Sequence, residues 1–172
     1  LQPTQSLGTP WDRELFNRNT AAEYLNTMAV IYLRLGWPAA AEEALQRATL
    51  ADRQFPEARY DLAVVAASNA LLGPSSKDES ARRAWLQRSR RLLFDAIVLD
   101  PAFREAHSLY AALDALDGNC DEAQTRLRDL AASHAHRLYP VDTGIGDMLA
   151  ASIKRRRHIT DLPEALTPEF QL

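Results

Sequence analysis

Apolar and polar residues alternate along this chain with the period of a helix, in pairs of segments split by short breaks. Residues 22–35 read as a first helix, with Leu25 as its bulky apolar residue. Gly36 ends that segment and Pro38 opens the next, where a missing N–H is harmless. Ala41, Leu45 and Ala48 then share one face of a second helix. A third segment starts at Pro56 and carries Ala58, Leu62, Ala63 and Ala66; it runs through Ala70 to about Leu72, where Gly73-Pro-Ser-Ser76 stops it. The fourth spans roughly 78–99, with Leu86, Leu93, Ala96 and Ile97 inward and Asp100-Pro101 closing it. The fifth and sixth, within 104–137, are divided by Gly118, with Ala123, Leu127 and Leu130 on the last face. Thr20 with Glu23 and Asn119 with Glu122 have the spacing of capping boxes. The pattern predicts an all-α chain.

The layout repeats. Met28-Ala-Val-Ile-Tyr-Leu-Arg-Leu-Gly36 followed by Ala41, Leu45 and Ala48 matches Tyr110-Ala-Ala-Leu-Asp-Ala-Leu-Asp-Gly118 followed by Ala123, Leu127 and Leu130. A period of roughly 34 residues of this kind resembles the tetratricopeptide repeat, a helix–turn–helix unit. The resemblance covers 22–137 in three units: 22–55, 56–103 and 104–137. The second carries an insertion of roughly 14 residues against the standard period, and Arg59 and His107 replace the bulky first-helix residue supplied by Leu25. It implies a right-handed solenoid of antiparallel helix pairs with a concave groove lined by the first helix of each pair. Residues 1–21 read as an extended lead-in with a short helical turn at 11–16. Residues 138–172 read as a linker, a capping helix over 143–157 with Ile145, Leu149 and Ile153 on its apolar stripe, and a tail.

The groove positions implied by the resemblance are Glu23, Asn26, Val30, Leu33 and Arg34 in the first unit. They are Glu57, Tyr60, Val64, Ala67 and Ser68 in the second, and Glu105, Ser108, Ala112, Ala115 and Leu116 in the third. Some members of the family clamp a carboxylate terminus with several cationic donors. This groove holds Glu23, Glu57, Asp61 and Glu105 against Asn26 and Arg34, so that ligand is not expected. Its small apolar positions suit a partner helix or an extended apolar peptide. The same residues also suit helix packing, and the tail near Leu162, Leu166 and Phe170 is a third possible occupant.

Composition narrows the function classes. The chain has 172 residues, 47% hydrophobic and 25% charged, enough for one cored domain. A net charge of −3 gives no global attraction to nucleic acid, and no segment is apolar enough for membrane insertion. Arginine far outnumbers lysine, consistent with a GC-rich bacterial source. Cys120 is the only cysteine, so no internal disulfide can form. The first residue is Leu1, which reads as a chain lacking its native N-terminus, cytoplasmic or periplasmic.

No motif argues for catalysis, metal or cofactor. His134 and His136 lack the i, i+4 spacing of a helical metal site. Lys154-Arg-Arg-Arg157-His158 is a basic helix end without interleaved aromatics. Arg82, Arg83, Arg88, Arg90 and Arg91 read as a solvated face. Cys120 has no neighbouring histidine, and Gly144-Ile-Gly146 lacks a preceding strand and a third glycine. The expected role is therefore a non-catalytic adaptor or scaffold for a protein partner, such as the soluble arm of a bacterial envelope or secretion assembly. The alternatives are a self-associating module anchored by Trp11, Trp37 and Trp85, and a regulatory domain of a larger enzyme.

Overall fold

The computed structural model describes residues 10–132 and Ile153. Among them every regular element is helical. The order is α1 (Pro10–Arg34), α2 (Pro38–Ala51), α3 (Pro56–Leu71), a short 3₁₀ turn (Pro74–Lys77), α4 (Glu79–Leu99), α5 (Arg104–Leu116) and α6 (Cys120–Ala132). Each helix packs chiefly on its neighbours in sequence: α1 on α2, α3 on α4 and α5 on α6 most extensively, with α2 on α3 and α4 on α5 joining the pairs. The connections within the first and third pairs are three residues long, which folds each pair back on itself.

Local chemistry sets the breaks. Gly36 (φ +76°) and Gly118 (φ +93°) take the left-handed conformation that a Cβ disfavours. Around them Trp37 N–H donates to the Tyr32 carbonyl at 2.9 Å and Asn119 N–H to the Asp114 carbonyl at 3.0 Å. Those bonds close the ends of α1 and α5 in the Schellman manner. Gly73 ends α3 differently: a Cβ there would lie 2.8 Å from the Asn69 carbonyl oxygen. Asp78 caps α4 by accepting from the Ser80 and Ala81 amides at 2.9 and 3.2 Å. Asp100 stops α4, and its carboxylate accepts from the Ala102 amide at 3.0 Å.

One expectation fails at the start of the chain. Helix α1 begins at Pro10 and runs unbroken to Arg34, in place of a lead-in through residue 21 and a helix from residue 22. Pro10 suits a first helical position, and no glycine or proline interrupts residues 11–35. Thr20 and Glu23 therefore lie inside the helix and form no N-terminal cap.

The core divides in two main parts. Ala41, Ala44, Leu45 and Ala48 of α2 meet Ala29 of α1 and Ala58, Leu62 and Val65 of α3. Tyr60, Val64 and Ala67 of α3, Leu86 and Leu93 of α4, and Leu109, Ala112 and Leu113 of α5 form the larger cluster, which also contains Ile153. A smaller cluster joins Ala111 and Ala115 to Ala123 and Leu127 of α6. Ile153, expected on a stripe capping the last pair, is buried and belongs to the cluster that α3, α4 and α5 form. The rest of that capping helix, His134, His136, residues 154–158 and the tail lie outside the described residues.

Candidate functional site

The first helix of each pair carries the groove positions implied by the sequence, and burial sorts them into two groups. Asn26 and Val30 are 3% exposed, Tyr60, Val64, Ala67 and Ala112 fully buried, and Ala115 1% exposed. Glu23 and Arg34 are exposed, whereas Leu33, Ser68, Ser108, Glu105 and Leu116 are half-buried. The sequence left lining and helix packing open for the small apolar members of the set. The structure places its small and aromatic members in the core, because Ala and Val at helical spacing let neighbouring helices approach closely. The Tyr60 ring packs at a tilt against Phe103, with centroids 5.1 Å apart, which ties α3 to the start of α5. Glu57 and Asp61 are buried on this same side of α3, one helical turn apart.

The arginines of α4 are not one solvated face. Arg82 and Arg83 pair with Glu79 at 2.8 and 2.7 Å within the helix. Arg88 reaches Glu42 of α2 at 2.6 Å and lies over the Trp85 ring. Arg90 bridges to α5 and its turn: it donates to the Leu113 carbonyl at 2.5 Å and pairs with Asp117 at 2.7 Å, with Asp114 at 3.8 Å. Arg126 of α6 approaches Asp114 from the other side at 3.7 Å and sits 4.2 Å over the Tyr110 ring. Burial raises the Asp114 carboxyl above its ordinary range, against the pull of Arg126 and then Arg90. Sequence periodicity could not separate Arg90 from its neighbours, because its partners lie more than twenty residues away. A second bond of this kind joins Ser89 Oγ to the Ala63 carbonyl at 2.8 Å in the core.

Two open clefts are lined by described residues. One, of about 570 Å³, is lined by Pro101, His107, Asp121, Glu122, Thr125, Arg126 and Asp129. His107 Nε2 lies 3.1 Å from the Pro101 carbonyl, and burial lowers its pKa below the usual 6.5. The imidazole uses its Nε2 on the Pro101 carbonyl while its Nδ1 is buried without a hydrogen bond, the Arg126 guanidinium is paired at longer range with Asp114, and the remaining acids project from α6. The other cleft, of about 240 Å³, lies between α1 and α2 and is walled by Tyr24, Leu25, Met28, Tyr32, Ala40 and Ala44, with Glu43 and Arg47 beside them. Its outer edge continues into exposed apolar side chains: Tyr24 is 65% exposed, Ile31 45%, Leu35 56% and Trp37 56%. Sequence reasoning named Trp37 but missed the α1 stripe, although its spacing was visible.

Cys120 is exposed at the start of α6. No group of histidine, cysteine and acidic residues suited to a metal ion occurs among the described residues, and none of their helices is long and apolar enough to cross a membrane. Comparison with family models, curated proteins and solved structures returned no match.

Proposed function

We propose that the chain is a non-catalytic recognition module of the tetratricopeptide type, a helical-repeat solenoid that holds a protein partner on the face formed by its first helices. The observation that carries this reading is the division of the groove positions. A packed floor of Val30, Tyr60, Val64, Ala67, Ala112 and Ala115 stiffens the face. Glu23, Leu33 and Arg34 of α1, Ser68 of α3 and Ser108 of α5 stay accessible above it. A rigid floor with a polar rim recognises a helix or an extended peptide at little ordering cost. The packed floor also limits the contact to those rim positions, a narrower site than the sequence implied.

The test is site-specific photocrosslinking in the native host, with the reactive group at Ser68 or Ser108 and a control at the exposed Arg91 of α4. The reading expects one protein adduct from both rim positions and none from the control. It also expects the purified pair to bind, and Ser68→Arg to weaken that binding by about tenfold or more without loss of helicity. Adducts from Arg91 alone, or binding indifferent to Ser68→Arg, would overturn it.

A further inference from the structure

Helix α1 is apolar on two opposite sides. Its inner side buries Ala22, Asn26, Ala29 and Val30. Its outer side presents Tyr24, Met28, Ile31 and Leu35, spaced i, i+4, i+7 and i+11, of which Tyr24, Ile31 and Leu35 are exposed and Met28 half-buried. That spacing is the seam of a helix packing on another helix. Residues 34 positions later in α3, at the same place in the repeat, are Ala58, Leu62, Val65 and Asn69. Ala58, Leu62 and Val65 are at most 5% exposed and pack against α2, the preceding helix. This side of a first helix is therefore a surface that receives a helix, and in α1 no described element covers it.

We propose that the outer side of α1 pairs two copies of this chain, with the two α1 helices antiparallel about a two-fold axis. The seam is self-complementary in that sense: Tyr24 of one copy faces Leu35 of the other, and Met28 faces Ile31. Charge selects the orientation. Glu23 and Arg34 lie on the same flank of the seam, near opposite ends. Antiparallel pairing sets each Glu23 beside the other copy's Arg34, and does so twice, leaving Leu33, Ser68 and Ser108 as the part of the groove rim outside the seam. Parallel pairing about a two-fold would put the two copies' Glu23–Arg34 flanks on opposite sides of the seam and form neither contact, so only the antiparallel arrangement uses these charges. The cleft between α1 and α2 accepts side chains from the seam's edge.

The experiment is sedimentation velocity of the full chain from micromolar to millimolar concentration, with circular dichroism to check each variant. Wild type is expected to dimerise. Ile31→Glu, at a position exposed enough to fold, is expected to weaken dimerisation by about tenfold or more. Glu23→Arg and Arg34→Glu are each expected to weaken it less, and the double reversal to restore it. A monomer throughout would overturn the proposal and leave the face to a helix pair preceding this segment or to another protein. A dimer unmoved by Ile31→Glu would overturn the seam. Single reversals that weaken pairing with no recovery in the double reversal would overturn the antiparallel arrangement.

Discussion

Helices α1 and α3 hold the same place in successive repeats of the sequence, and their outer sides end in opposite environments. Val65 on α3 is 2% exposed beneath α2, whereas Ile31 on α1 is 45% exposed. Leu62 is 5% exposed, whereas its equivalent Met28 borders an open cleft. The difference is not in the residues at these two places, since both pairs are apolar. It lies in what precedes each helix. A helix in such a stack is completed by its predecessor, and α1 is the first described member.

The largest test of that comparison is to put a charge at both places. Val65→Asp buries a carboxylate without a partner and removes two methyl groups from the core, so a loss of about 3–5 kcal/mol in urea unfolding is expected. Ile31→Asp is expected to cost less than about 1 kcal/mol in dilute solution. Similar costs at the two positions would break the comparison.

Smaller effects sharpen it. Gly36→Ala meets no atom within 4 Å but must hold φ at +76°, so thermal unfolding should show a loss of about 1 kcal/mol from backbone strain alone. Ser89→Ala removes the bond to the Ala63 carbonyl on the other side of α3, and is expected to cost about 1 kcal/mol. No effect there would mean that apolar packing alone seats α3 on α4.

The comparison extends to α5 through His107, which occupies the bulky position held by Leu25 in α1. Its folded-state pKa lies below 6.5, chiefly because burial disfavours the imidazolium. The unfolded chain therefore binds the proton more readily, and His107 costs stability as pH falls below 6.5, with the cost complete once pH is below the folded value. His107→Gln is expected to flatten that part of the stability profile. It is the smallest of these effects, because the imidazole is only partly buried.

Much of the fold was legible because its breaks have local causes. Gly36 and Gly118 need left-handed backbone, Pro38 and Pro56 suit first turns, and Asp100-Pro101 closes α4; each sits where the pattern placed it. The start of α1 was misplaced because Thr20 and Glu23 imitate a cap that an uninterrupted helix does not need. The groove was legible only as a set of positions. Periodicity says which side of a helix is apolar, not which neighbour covers it, so Val64 and Ala112 read equally as lining or as core. Arg90 was illegible for a related reason: its role depends on Leu113, Asp114 and Asp117 of a different helix and turn.

The most direct measurement of the open outer side is the thiol labelling rate of Ile31→Cys and Val65→Cys, each in a Cys120→Ser background because the native thiol is itself exposed. The account predicts that Ile31→Cys labels rapidly in dilute protein and slows as concentration rises, while Val65→Cys stays protected throughout. Protection of Ile31→Cys in dilute, monomeric protein would show that the chain covers its own α1, and would contradict the account.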